Sequence, residues 1–105
     1  MRVRICDFAQ APPSGRGVCF QDPSGRHWAL FNDNGTFHLF EDRCPHMDFP
    51  IHDGDIRRGI VTCPWHHWQF DVQSGACLLH ERIRLSKLEV QVDEGVIYAL
   101  WPKTG

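Results

Sequence analysis

Two short stretches, Cys44-Pro45-His46 and Cys63-Pro64-Trp65-His66, set two thiols and two imidazoles in near-repeated surroundings. Proline fixes its own φ and biases the residue before it toward extended backbone, so each cysteine and its histidine belong on a stiff loop and not on a helix. Sixteen residues separate His46 from Cys63, enough for a strand or turn excursion that brings the second loop back to the first. Thiolate and imidazole suit zinc, copper or iron-sulfur chemistry, and do not suit calcium or magnesium, which take oxygen ligands.

Zinc and iron-sulfur are the two serious candidates. Structural zinc sites pair Cys with Cys about two to four residues apart and His with His about three to five apart, whereas each pair here mixes one Cys with one His. A [2Fe–2S] centre with two Cys on one iron and two His on the other takes one of each from two loops, and the mixed pairing fits it better.

C-P-H, sixteen residues, then C-P-W-H resembles the Rieske signature C-x-H…C-x-x-H, and the likeness runs past the four ligands. Ile51 and Gly54 fall where that family has an aliphatic residue and a glycine. Trp68, Phe70, Asp71 and Gly75 in WHHWQFDVQSG resemble its H-G-W-x-F-D-x-x-T-G stretch, and LEVQVDEGVIYAL resembles its closing hairpin. The resemblance implies a small β domain of stacked antiparallel sheets with two cluster-binding loops at one tip. It also implies Cys44, His46, Cys63 and His66 as cluster and metal ligands, with no catalytic residue, and the two histidines at the solvent-facing edge where the electron leaves. The cluster-binding part spans about residues 42–71 of a single domain over 1–105.

The ligand set says what such a centre is for. Two ferric ions, two sulfides and two thiolates sum to about zero with neutral imidazoles, about two charges less negative than a four-Cys cluster, so an added electron costs less. Each imidazole also keeps a second ring nitrogen whose pKa reduction of the iron raises, which couples the electron to a proton.

Departures from the pattern narrow the role. High-potential members of the family carry an extra Cys in each loop, bridged together, and a Ser and a Tyr that hydrogen-bond the cluster; here Met47, Asp48 and Trp65 stand at the bridging positions and Trp68 and Phe70 at the hydroxyl positions. Fewer donors to the cluster sulfurs place the potential in the lower part of the Rieske range of about −150 to +300 mV. His67 stands where many relatives have Gly, a residue kept where φ must be positive or a backbone comes close. It reads as an exposed loop imidazole, since four ligands complete the site. The segment ACLLHERIRLSKL after Gly75 lacks the prolines often found in the loop over the cluster.

Composition agrees. With 105 residues, 42% of them hydrophobic, one compact domain is expected. A net charge of −2 offers no basic patch for nucleic acid and no polybasic membrane anchor. No apolar run is long enough for a signal peptide or a membrane span, so a soluble cytoplasmic protein is predicted. Cys6, Cys19 and Cys77 remain, an odd set unlike a disulfide framework, and each reads as a small buried hydrophobe.

The elements that must position the ligands read as strands. Val3–Cys6, Gly17–Gln21, His27–Asn32, Thr36–Glu41, Ile60–Cys63, Trp68–Val72, Leu88–Asp93 and Val96–Trp101 are short runs rich in β-branched and aromatic residues, separated by Ser24-Gly25, Asn34-Gly35, Ser74-Gly75 and Glu94-Gly95. Asp53-Gly54 and Arg58-Gly59 read as turns between the ligand loops. His27, His38, His52 and His80 have no Cys at ligand spacing and read as strand or surface histidines. Trp28 and Trp101 read as core. Phe49, Pro50, Trp65 and Trp68 flank the ligands, either shielding the cluster or forming an apolar rim. Arg57-Arg58, Asp48 and Asp53 read as solvated charges.

The chain shows no dinucleotide glycine fingerprint, no facial triad at recognisable spacing and no nucleophile with a paired base. The resemblance implies an electron carrier and not an enzyme in itself: a Rieske-type ferredoxin between an NAD(P)H-dependent flavoprotein reductase and a terminal aromatic-ring oxygenase. Two alternatives stand beside it, the small Rieske subunit of a larger reductase such as assimilatory nitrite reductase, and a structural zinc interaction module.

Overall fold

A computed structural model describes residues 2–44, 49–65, 67–80 and 82–100. The described residues form strands β1 (Arg2–Asp7), β2 (Gly17–Gln21), β3 (His27–Asp33), β4 (Thr36–Glu41), β5 (Asp55–Arg57), β6 (Ile60–Thr62), β7 (Gln69–Asp71), β8 (Lys87–Asp93) and β9 (Val96–Leu100), with one 3-10 turn at Phe8–Gln10. The class is all-β and antiparallel, as the strand-rich runs predict.

The strands make two sheets, ordered β1-β9-β8-β4-β3-β2 and β5-β6-β7. The six-stranded sheet is joined at its middle through the short pairing Leu39↔Leu88 and Phe40↔Lys87, extended by the Glu41 N–H donating to the Ser86 carbonyl, and there it curls into two packed halves. Side chains alternate across a strand, so β3 sends Trp28 and Leu30 to one face and Ala29 and Phe31 to the other. The first pair packs with Leu39, Cys6, Ile97 and Ala99; the second packs with Phe40, Ile56, Val61 and Phe70. The β2-β3-β4 layer is therefore covered on both sides, and its middle strand is a continuous buried run, Trp28-Ala29-Leu30-Phe31.

The small sheet carries the candidate site. Ile56↔Val61 and Val61↔Phe70 pair directly, and Phe70 bridges to Cys77. These four side chains form one row across the sheet, laid against Ala29, Phe31 and Phe40 of the middle layer. A fully buried Phe is worth about 1.5–3 kcal/mol, so Phe31, Phe40 and Phe70 make a stiff floor.

Turn chemistry follows the sequence in most places. Asn34-Gly35, Glu94-Gly95 and Arg58-Gly59 have both residues at positive φ (54° and 95°, 50° and 76°, 52° and 79°), the backbone of tight hairpin turns. The stretch read as two turns at 53–59 also holds a strand, β5, which the sequence hides because Asp55-Ile56-Arg57 exposes two charges around one buried Ile56. Cys63, Trp68 and Val72, predicted to end strands, lie one residue beyond the observed β6 and β7. Trp101 lies outside the described residues.

Candidate metal centre

Cys44 follows β4, and Cys63 follows β6. Both are fully buried and sit in one apolar cluster with Ile51, Ile56, Val61 and Phe70. The two loops close alike: the Cys44 N–H donates to the Phe49 carbonyl at 2.7 Å, and the Cys63 N–H donates to the Trp68 carbonyl at 2.7 Å. In each case a cysteine at one foot of the loop is tied to the residue five positions on, which in both loops is aromatic. The second loop is thus the β6–β7 hairpin connection, one step beyond the Thr62↔Gln69 pair.

Two contacts bring the loops together. The rings of Phe49 and Trp65, one from each loop, lie 4.9 Å apart. Beneath them, the chain leaving the first loop presses on the second at Gly54. A Cβ there would overlap the Thr62 carbonyl oxygen and come within 3.1 Å of the Ile51 oxygen and 3.2 Å of the Pro64 ring. Gly54 therefore has a backbone role, as its sequence position implies, but by close approach and not by a left-handed φ.

His46 and His66, with Met47 and Asp48, lie outside the described residues. What the described residues supply is two buried soft donors in apolar surroundings, on loops of equal span that lie against each other. That donor chemistry fits a cluster with one Cys from each loop.

Around this floor the aromatics divide. Trp65 is half exposed and Pro50 exposed, while Phe49 and Trp68 are partly covered. They both wall the loops and give the tip an apolar rim. The His80 ring lies 6.1 Å from that of Trp68, and Leu79 beside it is 75% exposed. The proline-free segment after Gly75 therefore reaches the tip. Phe70 is wholly buried and supplies no hydroxyl.

His67 is exposed and has φ +57°, a conformation that costs a residue with a Cβ about 1–2 kcal/mol. The expectation of strain at this position is met. His67→Gly is expected to stabilise the protein by about 1 kcal/mol, raising Tm by roughly 4–8 °C; an unchanged or lower Tm in a thermal melt would show that the imidazole has a compensating contact.

One group at the loop base has no signal in the sequence. Asp42, buried and two residues before Cys44, accepts at Oδ1 from the Ile51 N–H (2.7 Å) and the His52 N–H (2.9 Å), while its Oδ2 lies 2.6 Å from His52 Nδ1. It ties the chain entering the first loop to the chain leaving it. His52, read as a surface histidine, is half-buried in this contact.

Cys6 and Cys77 are buried, as small hydrophobes should be, but Cys19 is not. It lies at the edge strand β2, 3.6 Å from His27 Nδ1. Desolvation, then the hydrogen bond and charge of Asp42 and the charge of Asp53, push its thiol up to about 11.

Comparison with known proteins agrees with this geometry. The 4beta-methylsterol monooxygenase of Methylococcus capsulatus is 36% identical over 86 residues, 70% of this chain and 23% of that protein. The ferredoxin component of the alkene monooxygenase system of Xanthobacter autotrophicus is 29% identical over 73 residues, 68% of this chain and 60% of that one. This chain thus spans less than two thirds of either relative. Among solved structures, the Sphingomonas yanoikuyae B1 ferredoxin superposes with a TM-score of 0.83 at 23% identity, covering 97% of this chain and 100% of its own. A chain described as an NADH-dependent nitrite reductase small subunit from Mycobacterium tuberculosis superposes with a TM-score of 0.86 at 25% identity, covering 99% and 97%. A sequence profile described as the Rieske [2Fe-2S] domain matches residues 3–95. Nearly the whole chain is thereby accounted for, and it is to the Rieske [2Fe–2S] family, with that family's cluster as its cofactor, that this protein belongs.

Proposed function

We propose that the protein is a one-electron carrier that takes electrons from an NAD(P)H-dependent flavoprotein reductase and gives them to a terminal oxygenase acting on an aromatic ring, without converting a substrate itself. The observation that carries this reading is the pair of buried cysteines on matching loops beneath an apolar aromatic rim. In this reading Cys44 and Cys63 hold one iron, and His46 and His66 hold the other. The family assignment argues for the cluster and against a four-ligand zinc module.

When bound, the cluster supplies a reversible one-electron couple. The residues of this chain do the rest. Cys44 and Cys63 would hold the cluster from a pocket that Ile51, Val61 and Phe70 keep dry. The two loop-closing hydrogen bonds hold their backbones still, which lowers reorganisation on reduction. Trp65 and Pro50, exposed beside the loops, form a surface on which a partner can dock without prior rearrangement. Oxygenase partnership draws support from the alkene monooxygenase ferredoxin. Among the described residues no helix is long and apolar enough to cross a membrane, and we place the chain, as a single domain, in the cytoplasm.

The nitrite reductase small subunit keeps a second reading in play, because that structure covers nearly all of both chains. In it the electron passes within a stable assembly and not between transient partners.

The test is a redox titration of the native-iron protein followed by EPR, with nitrogen hyperfine measurements on the reduced form. A reversible one-electron couple in the lower part of about −150 to +300 mV and two coupled imidazole nitrogens are expected. A potential near the upper limit would refute the reading of Trp68 and Phe70, and fewer than two nitrogens would refute the ligand set. Purification with a stoichiometric large subunit would favour the second reading.

A further inference from the structure

Away from Cys44 and Cys63, a second group of sulfur, nitrogen and oxygen donors meets where the β2–β3 hairpin flanks the base of the first loop. On that hairpin Cys19 stands opposite Ala29, and Gln21 opposite His27. Cys19 and His27 are therefore diagonal neighbours on one face, with Sγ and Nδ1 3.6 Å apart. Asp42 and His52 enter the same cleft from the two feet of the loop. Cys19, Asp42 and His52 each offer a ligand atom within 4.8 Å of the others; the His27 ring stands outside that trio and adjoins it through Cys19.

We propose that Cys19, His27, Asp42 and His52 form a zinc site distinct from the cluster, one that staples the β2–β3 hairpin to both ends of the first ligand loop. One thiolate, two imidazoles and one carboxylate are a zinc donor set; calcium and magnesium do not take sulfur and nitrogen. Zinc–sulfur and zinc–nitrogen bonds of about 2.3 and 2.0 Å put tetrahedral sulfur and nitrogen ligands about 3.5 Å apart, close to the 3.6 Å between Cys19 and His27. The two oxygens of Asp42 already face different ways, Oδ1 accepting from two backbone amides and Oδ2 lying 2.6 Å from His52 Nδ1. Zinc takes the place of the proton shared there, which opens that pair to about 3.3 Å.

Charge also balances. Cys19 releases its proton to solvent on coordination, and one thiolate and one carboxylate then neutralise the dication within the ligand set, while the exposed Asp53 carboxylate, 3.5 Å from His52 Nε2, adds a negative charge at the rim. Arg26 lies in the cleft as well, but its guanidinium is held by Glu41 at 3.0 Å. Arg43, also in the cleft, reaches Glu41 at 4.0 Å.

The experiment adds zinc ions alone to the holoprotein with its iron cluster intact, followed by gel filtration, metal analysis and X-ray absorption at the zinc edge. One zinc per chain with unchanged iron is expected, with one sulfur at about 2.3 Å and three nitrogen or oxygen neighbours at about 2.0 Å. Cys19→Ser is expected to remove the sulfur shell, and both it and His27→Gln to weaken binding at least about ten-fold. Both positions lie at the surface, and an unchanged cluster EPR signal confirms that the variants fold. His80→Gln, against Trp68 and not among the residues lining this cleft, is expected to bind as the parent does. No retained zinc, undiminished binding by Cys19→Ser, or a shell of two sulfurs with loss of iron would each overturn the proposal, the last by placing zinc at Cys44 and Cys63.

Discussion

Gly54→Ala is expected to strip the protein of its cluster and to lower Tm by roughly 12 °C or more. The added methyl overlaps the Thr62 carbonyl oxygen and crowds Ile51 and Pro64, and two of those three contacts are backbone, which cannot rotate away. Overpacking of this kind costs about 3 kcal/mol or beyond, and each kcal/mol is worth roughly 4–8 °C in a domain of this size. The strain falls between the loops that carry Cys44 and Cys63, and the expected relief is a shift of Pro64, and with it Cys63, away from the first loop. Gly35→Ala is the control. Its φ is +95° but nothing lies within 4 Å, so it incurs only the local backbone cost of about 1 kcal/mol and should keep its iron. Iron analysis and a thermal melt of both variants decide the matter: parental iron and Tm in Gly54→Ala would mean that the loops do not depend on this approach.

Asp42→Ala comes next in size, at about 2–5 kcal/mol. Two amides, of Ile51 and His52, lose their acceptor, and each buried donor left unsatisfied costs about 1–3 kcal/mol. Water does not readily replace the carboxylate, because the Asp42 side chain is only 2% exposed. Asp42→Asn keeps one carbonyl oxygen for the amides and should lose much less. The readout that separates a loop-base role from a general one is amide hydrogen exchange. Ile51 and His52 should exchange much faster in Asp42→Ala, while Leu30 and Leu39 on the far face of the middle layer should slow or quicken only with global stability. Equal acceleration everywhere would sink the idea that Asp42 acts on the loop.

Among the described residues, the sequence reading and the structure agree most closely where local chemistry dominates. Asn34-Gly35 and Glu94-Gly95 adopt the positive φ that their turn type demands, and the runs around Trp28 and Phe40 are strands whose successive apolar residues face two cores. His67 belongs here too: a side chain in a glycine's place foretold the backbone strain found at +57°. The pairing of Cys44 and Cys63, buried in one apolar cluster, was legible for a related reason. Soft donors next to proline, repeated at this spacing, have few other uses.

Long-range packing decided the remainder. Strand β5 escaped notice because only Ile56 in Asp55-Ile56-Arg57 is buried, and a three-residue strand carries no period to read. Asp42 gave no sign because a carboxylate so near a ligand loop looks like any surface charge until the fold brings the Ile51 and His52 amides to it. Cys19, a core residue by its chemistry, lies exposed on an edge strand, and edge position is a property of sheet order and not of composition. By itself the sequence determined the strand runs, most of the turns and the two cysteines placed beside proline, since these follow from side-chain chemistry and backbone preference within a few residues. The tertiary structure decided which amides Asp42 satisfies, why residue 54 has no room for a Cβ, and that Cys19 and His27 meet the feet of the loop. Each of these joins segments distant along the chain, and only sheet order and register set such distances.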